Sequence, residues 1–147
     1  MHDLALAIAH HLLVFSLAGI LAFELGAVRR GMDAAALRRL ASVDLWYGIL
    51  AGLILVVGFS RAVFAAKGWA YYSVNPFFWA KIAAFLVVGM LSIWPTVAFI
   101  RWGRACRADA AFSPPDAAVR GVRRIPYAEA CIFALIPVFA AIMARYQ

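Results

Sequence analysis

Residues 75–102 read NPFFWAKIAAFLVVGMLSIWPTVAFIRW, and this stretch decides the fold. About 20 consecutive apolar residues cross the hydrocarbon of a bilayer as a helix, and the segment from Pro76 to Trp102 is longer than that. Asn75-Pro76 marks its start, because asparagine caps free amides and proline tolerates the first helical position. Working outward, three further runs meet the same criterion, at about residues 4–28, 44–66 and 126–145. The first is free of charge from Leu12 to Phe23. Composition agrees: 67% of the 147 residues are hydrophobic, 14% are charged and the mean hydropathy is +0.89. A soluble domain keeps about a quarter of its residues charged, so lipid is the expected solvent. The expectation is all-α, an integral membrane four-helix bundle forming one domain over residues 1–147. Disorder, coiled coil and collagen are excluded by the same figures.

The net charge of +7 would suggest nucleic acid in a soluble protein, so placement matters. Arg29, Arg30, Arg38 and Arg39 follow the first run, and Arg101, Arg104, Arg107, Arg120, Arg123 and Arg124 follow the third. Two alternate loops thus carry ten of the fourteen basic residues, as the positive-inside rule requires of cytoplasmic loops. The expected location is the bacterial inner membrane, multi-pass, with both termini periplasmic and the arginines attracted to anionic lipid. No basic patch with interleaved aromatics is left for nucleic acid. Met1-His2-Asp3 lacks a basic n-region, so the first run reads as a retained span rather than a cleaved signal. Cys106 and Cys131 are 25 positions apart with no C-x-x-C, which argues against both a disulfide and a zinc site.

Aromatics are expected in two interfacial belts: Trp69, Tyr71, Tyr72, Trp79 and Tyr146 outside, Trp46, Tyr47, Trp102 and Tyr127 inside. Ala18, Ala22 and Gly26, and separately Gly48 and Gly52, recur every fourth residue. Such spacing lets backbones approach closely, within the chain or against a second copy as a homo-oligomer.

Ionisable groups in membrane helices are costly, so each needs a partner or a role. Glu24, Asp44 and Glu129 lie near the inner face, where pairing with Arg29, Arg30, Arg123 or Arg124 is expected; a proton-entry role is the alternative. His10, His11, Arg61, Lys81 and Met143 lie near the outer face on four spans. At about 100° per residue, His10 and His11 point apart, whereas His10 sits about 40° from the face of Glu24, 14 positions on. His10 is therefore the expected inward-facing histidine. Lys81 shares a face with Val88, Ser92 and Pro95, where something polar is expected to meet it.

Three readings remain open for this outer group. In the first, haem b binds with His10 on iron, Lys81 or Met143 as second ligand and Arg61 on a propionate. In the second, Arg61 and Lys81 hold a quinone or another anionic small molecule. In the third, the two cations snorkel to the interface and the histidines only satisfy packing.

His10-His11-Leu12, Val43-Asp44-Leu45-Trp46-Tyr47-Gly48, Lys67-Gly68-Trp69, Asn75-Pro76-Phe77-Phe78-Trp79-Ala80-Lys81 and Glu129 resemble a bacterial family of small predicted membrane proteins of unknown function. The resemblance covers nearly the whole chain and implies a four-helix membrane fold, without an activity. A looser similarity, carried by His10 and Lys81, is to the haem-containing membrane protoporphyrinogen oxidases, short helical bundles with a functional histidine early in the first span and a lysine early in a later one. That similarity implies haem binding and oxidation of a porphyrinogen by electron transfer toward quinone. The functional expectation is accordingly a haem b-associated electron-transfer protein or oxidoreductase. The alternatives are a non-catalytic subunit or assembly factor whose buried charges fix helix register, and a proton-coupled transporter of a small molecule.

Overall fold

The computed structural model describes residues 2–64 and 68–145, with His2 and Asp3 as backbone only. Lys67 and Tyr146 lie outside the described residues. The elements are α1 (His2–Ala27), α2 (Ala34–Phe64), α3 (Gly68–Ser73), α4 (Pro76–Ala108), α5 (Asp116–Phe133) and α6 (Leu135–Arg145). Four segments are long and apolar enough to cross a membrane: Leu4–Ala27, Ala34–Phe64, Pro76–Ala108, and Asp116–Arg145, which joins α5 to α6. Their outward faces are apolar, with Phe15 71%, Val56 65% and Trp94 64% exposed. That is the surface lipid requires.

Three helices begin or end well beyond the apolar runs. α2 starts at Ala34 rather than near Asp44, α5 at Asp116 rather than near Pro126, and α4 continues to Ala108 rather than Trp102. The extensions are amphipathic, so charge marks the end of the lipid-facing run without ending the helix. Leu37 and Leu40 continue into Asp44 and Tyr47, and Val119 and Val122 into Pro126 and Glu129, each at helical spacing and each buried. At about 1.5 Å per residue, the 31 residues of α2 run about 46 Å, well past the roughly 30 Å of hydrocarbon. The overhang carries a core of its own, in which Val28, Met32, Leu37, Leu40, Phe99, Trp102, Cys106, Val119 and Val122 pack together. Arginines surround this end, which we call the arginine-rich end.

Local signals set the caps. Asn75 Oδ1 accepts from Phe77 N at 3.0 Å and starts α4, while Asp33 Oδ1 accepts from Ala36 N at 2.7 Å and starts α2. Gly31, at φ +67, supplies the left-handed turn between α1 and α2 that a side chain would strain. The fourth span breaks at Ala134, because Pro137 has no amide hydrogen and its ring crowds the carbonyl of Phe133.

Packing runs around a ring. α1 lies against α2, α2 against α4, and α4 against both α5 and α6, while α1 returns to α5. Among the described residues, no Cα of α1 comes within 8 Å of one in α6. The ring is thus closed at the arginine-rich end and open at the other.

One of the two alternatives for the small-residue stripes drops out here, and half of the inner aromatic belt fails. Gly26, Gly48 and Gly52 have nothing within 4 Å of an added Cβ, and Ala22 is exposed, so the small-residue stripes do not pack helices inside this chain. Of the inner aromatic belt, Trp46 and Tyr127 are exposed, but Tyr47 and Trp102 are buried at 3% and 7% exposure. Each lies on the same face as buried neighbours, and that face turns to the core rather than to lipid.

Candidate functional site

The open half of the ring contains a cavity of about 540 Å3, within the ordinary range for small-molecule sites. His10 and His11 reach it from α1, Arg61 from α2, Tyr71 and Tyr72 from α3, Lys81 from α4, and Met143 from α6. A smaller recess between His10, Gly58, Arg61, Tyr72, Lys81 and Met143 forms its polar floor. The outer group read from sequence therefore gathers around one space.

Each residue has a distinct setting. His10 is half-buried, its Nδ1 sealed without a partner. The ring lies on Gly58, where an added Cβ would stand 3.4 Å from Cε1 and 3.7 Å from Nδ1. Nε2 is then the ring nitrogen left for a guest. His11 is exposed at the cavity mouth, with Nδ1 2.7 Å from the carbonyl of Ala7. The two histidines, expected to point apart, both line this cavity, with ring centroids 6.1 Å apart and the rings nearly perpendicular; they differ in burial, His10 being the more enclosed.

Arg61 is half-buried and its Nε is sealed without a hydrogen-bond partner. Lys81 is also half-buried, and its Nζ stands 5.1 Å from the centre of the Phe78 ring, a cation–π arrangement. Arg61 and Lys81 lie within electrostatic reach of each other and of His10. Among the described side chains neither makes an ion pair with a carboxylate. Two like charges sharing a low-dielectric chamber repel, and an anion is what relieves them.

Phe78 is a site residue that the sequence pattern does not single out. It is 2% exposed and meets the rings of Phe59, Trp69, Tyr72 and Trp79, so it anchors the wall from which Lys81 projects. Tyr71 donates its hydroxyl to the carbonyl of Met143 at 2.8 Å, tying α6 to α3. Gly58, Tyr71 and Tyr72 are further site residues without a sequence signal of their own for that role. Their roles depend on which helix they face, and spacing within one span does not reveal that.

The inner acids behave differently from expectation. Glu24, Asp44 and Glu129 are 2%, 5% and 0% exposed and none pairs with an arginine. The one ion pair among the described residues joins Arg30 to Asp116 at 3.5 Å on the surface. The acids lie on core-facing stripes, between Leu21 and Val28, Leu40 and Tyr47, and Val122 and Ile132, while Arg29, Arg30, Arg123 and Arg124 are exposed. Asp44 instead accepts from the Thr96 hydroxyl at 2.9 Å, across α2 and α4. Thr96 is not one of the residues expected to meet a polar group on that helix: Ser92 donates to the carbonyl of Gly89 at 2.8 Å within α4 instead. Both cysteines are free, Cys106 buried and Cys131 exposed.

These features define a class: four-span helical membrane proteins with a cavity lined by cations in one half and a buried acidic layer in the other. The chain belongs to the family described as "Predicted membrane protein (DUF2214)", whose model matches residues 2–146. No curated protein and no solved structure matches it. The likeness to protoporphyrinogen oxidases therefore rests on His10 and Lys81 alone.

Proposed function

We propose that the protein binds an amphipathic anion in the chamber between α1, α2, α4 and α6, and that haem b is the guest that uses the groups there most fully. The observation that carries this reading is the convergence of His10, Arg61 and Lys81, from three helices, on one cavity without a carboxylate partner. The donor set suits the group: one imidazole for the iron and two cations for the two propionates, with apolar walls from Val14, Phe133 and Ile136 for the macrocycle. His10 would hold the iron, Arg61 and Lys81 the carboxylates, and Met143, which lines the same space, would offer its thioether sulfur as a second donor. Bound there, haem would supply one-electron chemistry toward a porphyrinogen or quinone.

The chain's own residues do the rest. Gly58 sets the His10 ring, Phe78 sets Lys81, and the gap between α1 and α6 admits a molecule from the bilayer. A neutral quinone alone would leave Arg61 and Lys81 uncompensated, which favours the anion. A purely structural role for the charges fits less well, because charges that fix helix register pair across helices, and these two face each other with the same sign. We further propose the bacterial inner membrane, with the arginine-rich end cytoplasmic and the chamber on the periplasmic side, on the strength of the arginine distribution.

The test is a haemin titration of the purified protein, followed by the Soret band and by the reduced alpha band. Saturable binding that is abolished in His10→Ala and retained in His11→Ala supports the reading. A protein that stays colourless, or equal losses in the two variants, refutes it.

A further inference from the structure

The acidic layer stands apart from the chamber and needs no guest in it. Glu24 from α1, Asp44 from α2 and Glu129 from α5 meet in the closed half of the ring, within electrostatic reach of one another. The Tyr47 phenol lies within reach of all three. α4 turns the Thr96 hydroxyl toward Asp44, and among the described residues it adds no titratable group to the layer. Tyr47 is 3% exposed, and its hydroxyl, Glu24 Oε1 and both oxygens of Glu129 are sealed without partners.

Apolar matter closes the layer on both sides. Toward the arginine-rich end lies the overhang core with Leu40, Phe99, Val119 and Val122. Toward the chamber lie Leu17, Leu21, Ile54 and Val88. Three negative charges held together here with no cation would repel in a medium that screens them poorly. Something positive must belong to the layer. No three His, Cys, Asp or Glu side chains among the described residues are grouped to hold a metal ion. A proton needs only one lone pair, and the orphaned carboxylate oxygens of Glu24 and Glu129 each offer one.

We propose that Glu24, Asp44, Tyr47 and Glu129 form a buried proton-binding site, and that its bound protons are what allow α1, α2 and α5 to pack together at the closed half of the bundle. Loss of those protons leaves like charges on three helices and loosens the seam.

Infrared spectra of the full chain in lipid vesicles near neutral pH test this directly. The expected result is a carboxylic-acid C=O band that shifts in deuterium oxide, weakens in Glu24→Gln and in Glu129→Gln, and is unchanged in Asp109→Asn, which removes an exposed carboxylate. Absence of the band in the wild type overturns the proposal, as does its persistence in the triple variant Glu24→Gln/Asp44→Asn/Glu129→Gln. The wild-type spectrum decides even where a variant fails to fold. Thermal unfolding at about pH 6 and about pH 10 gives the second readout: wild-type Tm falls at the higher pH, and the triple variant shows a smaller fall. Equal falls in the two overturn the proposal. Added sodium or calcium at fixed pH should leave the wild-type Tm unchanged; a rise that vanishes in the triple variant assigns the layer to a metal cation and overturns the assignment to protons.

Discussion

Substituting Gly58 separates the stability of the bundle from the use of its chamber. Gly58 lies in α2, with the His10 ring directly over it. An alanine methyl would stand 3.4 Å from Cε1, just inside the roughly 3.5–4.0 Å optimum for carbon pairs, so the ring must yield by only a few tenths of an ångström. Against that small cost stands the helix-propensity gain of about 1 kcal/mol when glycine becomes alanine inside a helix. Gly58→Ala should therefore unfold at the same or a slightly higher temperature and still bind. Leucine reaches about 2.5 Å beyond its Cβ, so Gly58→Leu must push the ring aside by a comparable distance. A displacement of that size takes the imidazole out of register with a guest, and the expected result is a loss of haemin affinity as large as that of His10→Ala. The paired assays are thermal unfolding and haemin titration on the same samples. Undiminished binding in a folded Gly58→Leu protein would mean that the His10 ring is not part of the site.

Replacing Arg61 or Lys81 with Gln removes a charge-assisted contact worth about 1.5–3 kcal/mol; each should weaken an anionic guest by about tenfold or more, and affinities equal to wild type would show that the cations face nothing. Pro137→Ala restores an amide donor at the bend and should draw α6 toward α1, slowing guest entry in stopped-flow mixing; unchanged rates would remove the bend from the entry route. Asn75→Ala removes the cap of α4 and should cost about 1 kcal/mol in unfolding measurements, with Asn75→Asp recovering most of it; no change in Asn75→Ala would contradict the capping role. A topology reporter fused after Gln147 should be inactive as a cytoplasmic marker, and cytoplasmic activity would reverse the orientation.

The four spans and the inward turn of His10 were legible because they depend on properties internal to one helix, apolar length and about 100° per residue. Asn75-Pro76 was legible for the same reason, since a cap is a local device. The helix ends were not: Ala34–Val43 and Asp116–Ile125 carry enough charge to resemble loops, although Leu37, Leu40, Val119 and Val122 keep helical spacing. The acids were misread through proximity along the chain. Glu24 is five residues from Arg29 and Glu129 five from Arg124, yet the acids face the core and the arginines face outward. The recess around Gly58, Tyr72 and Phe78 depends on how α2, α3 and α4 are set against one another, which no single span encodes.

The unsealed seam between α1 and α6 also determines how any guest is counted. A molecule passing through it comes from among acyl tails, so its effective concentration follows partitioning into the bilayer rather than its level in the surrounding buffer. Tails themselves are the natural competitors for the same space. Apparent affinity will then vary with lipid composition and with the detergent chosen for purification, even when not one residue of the protein has changed.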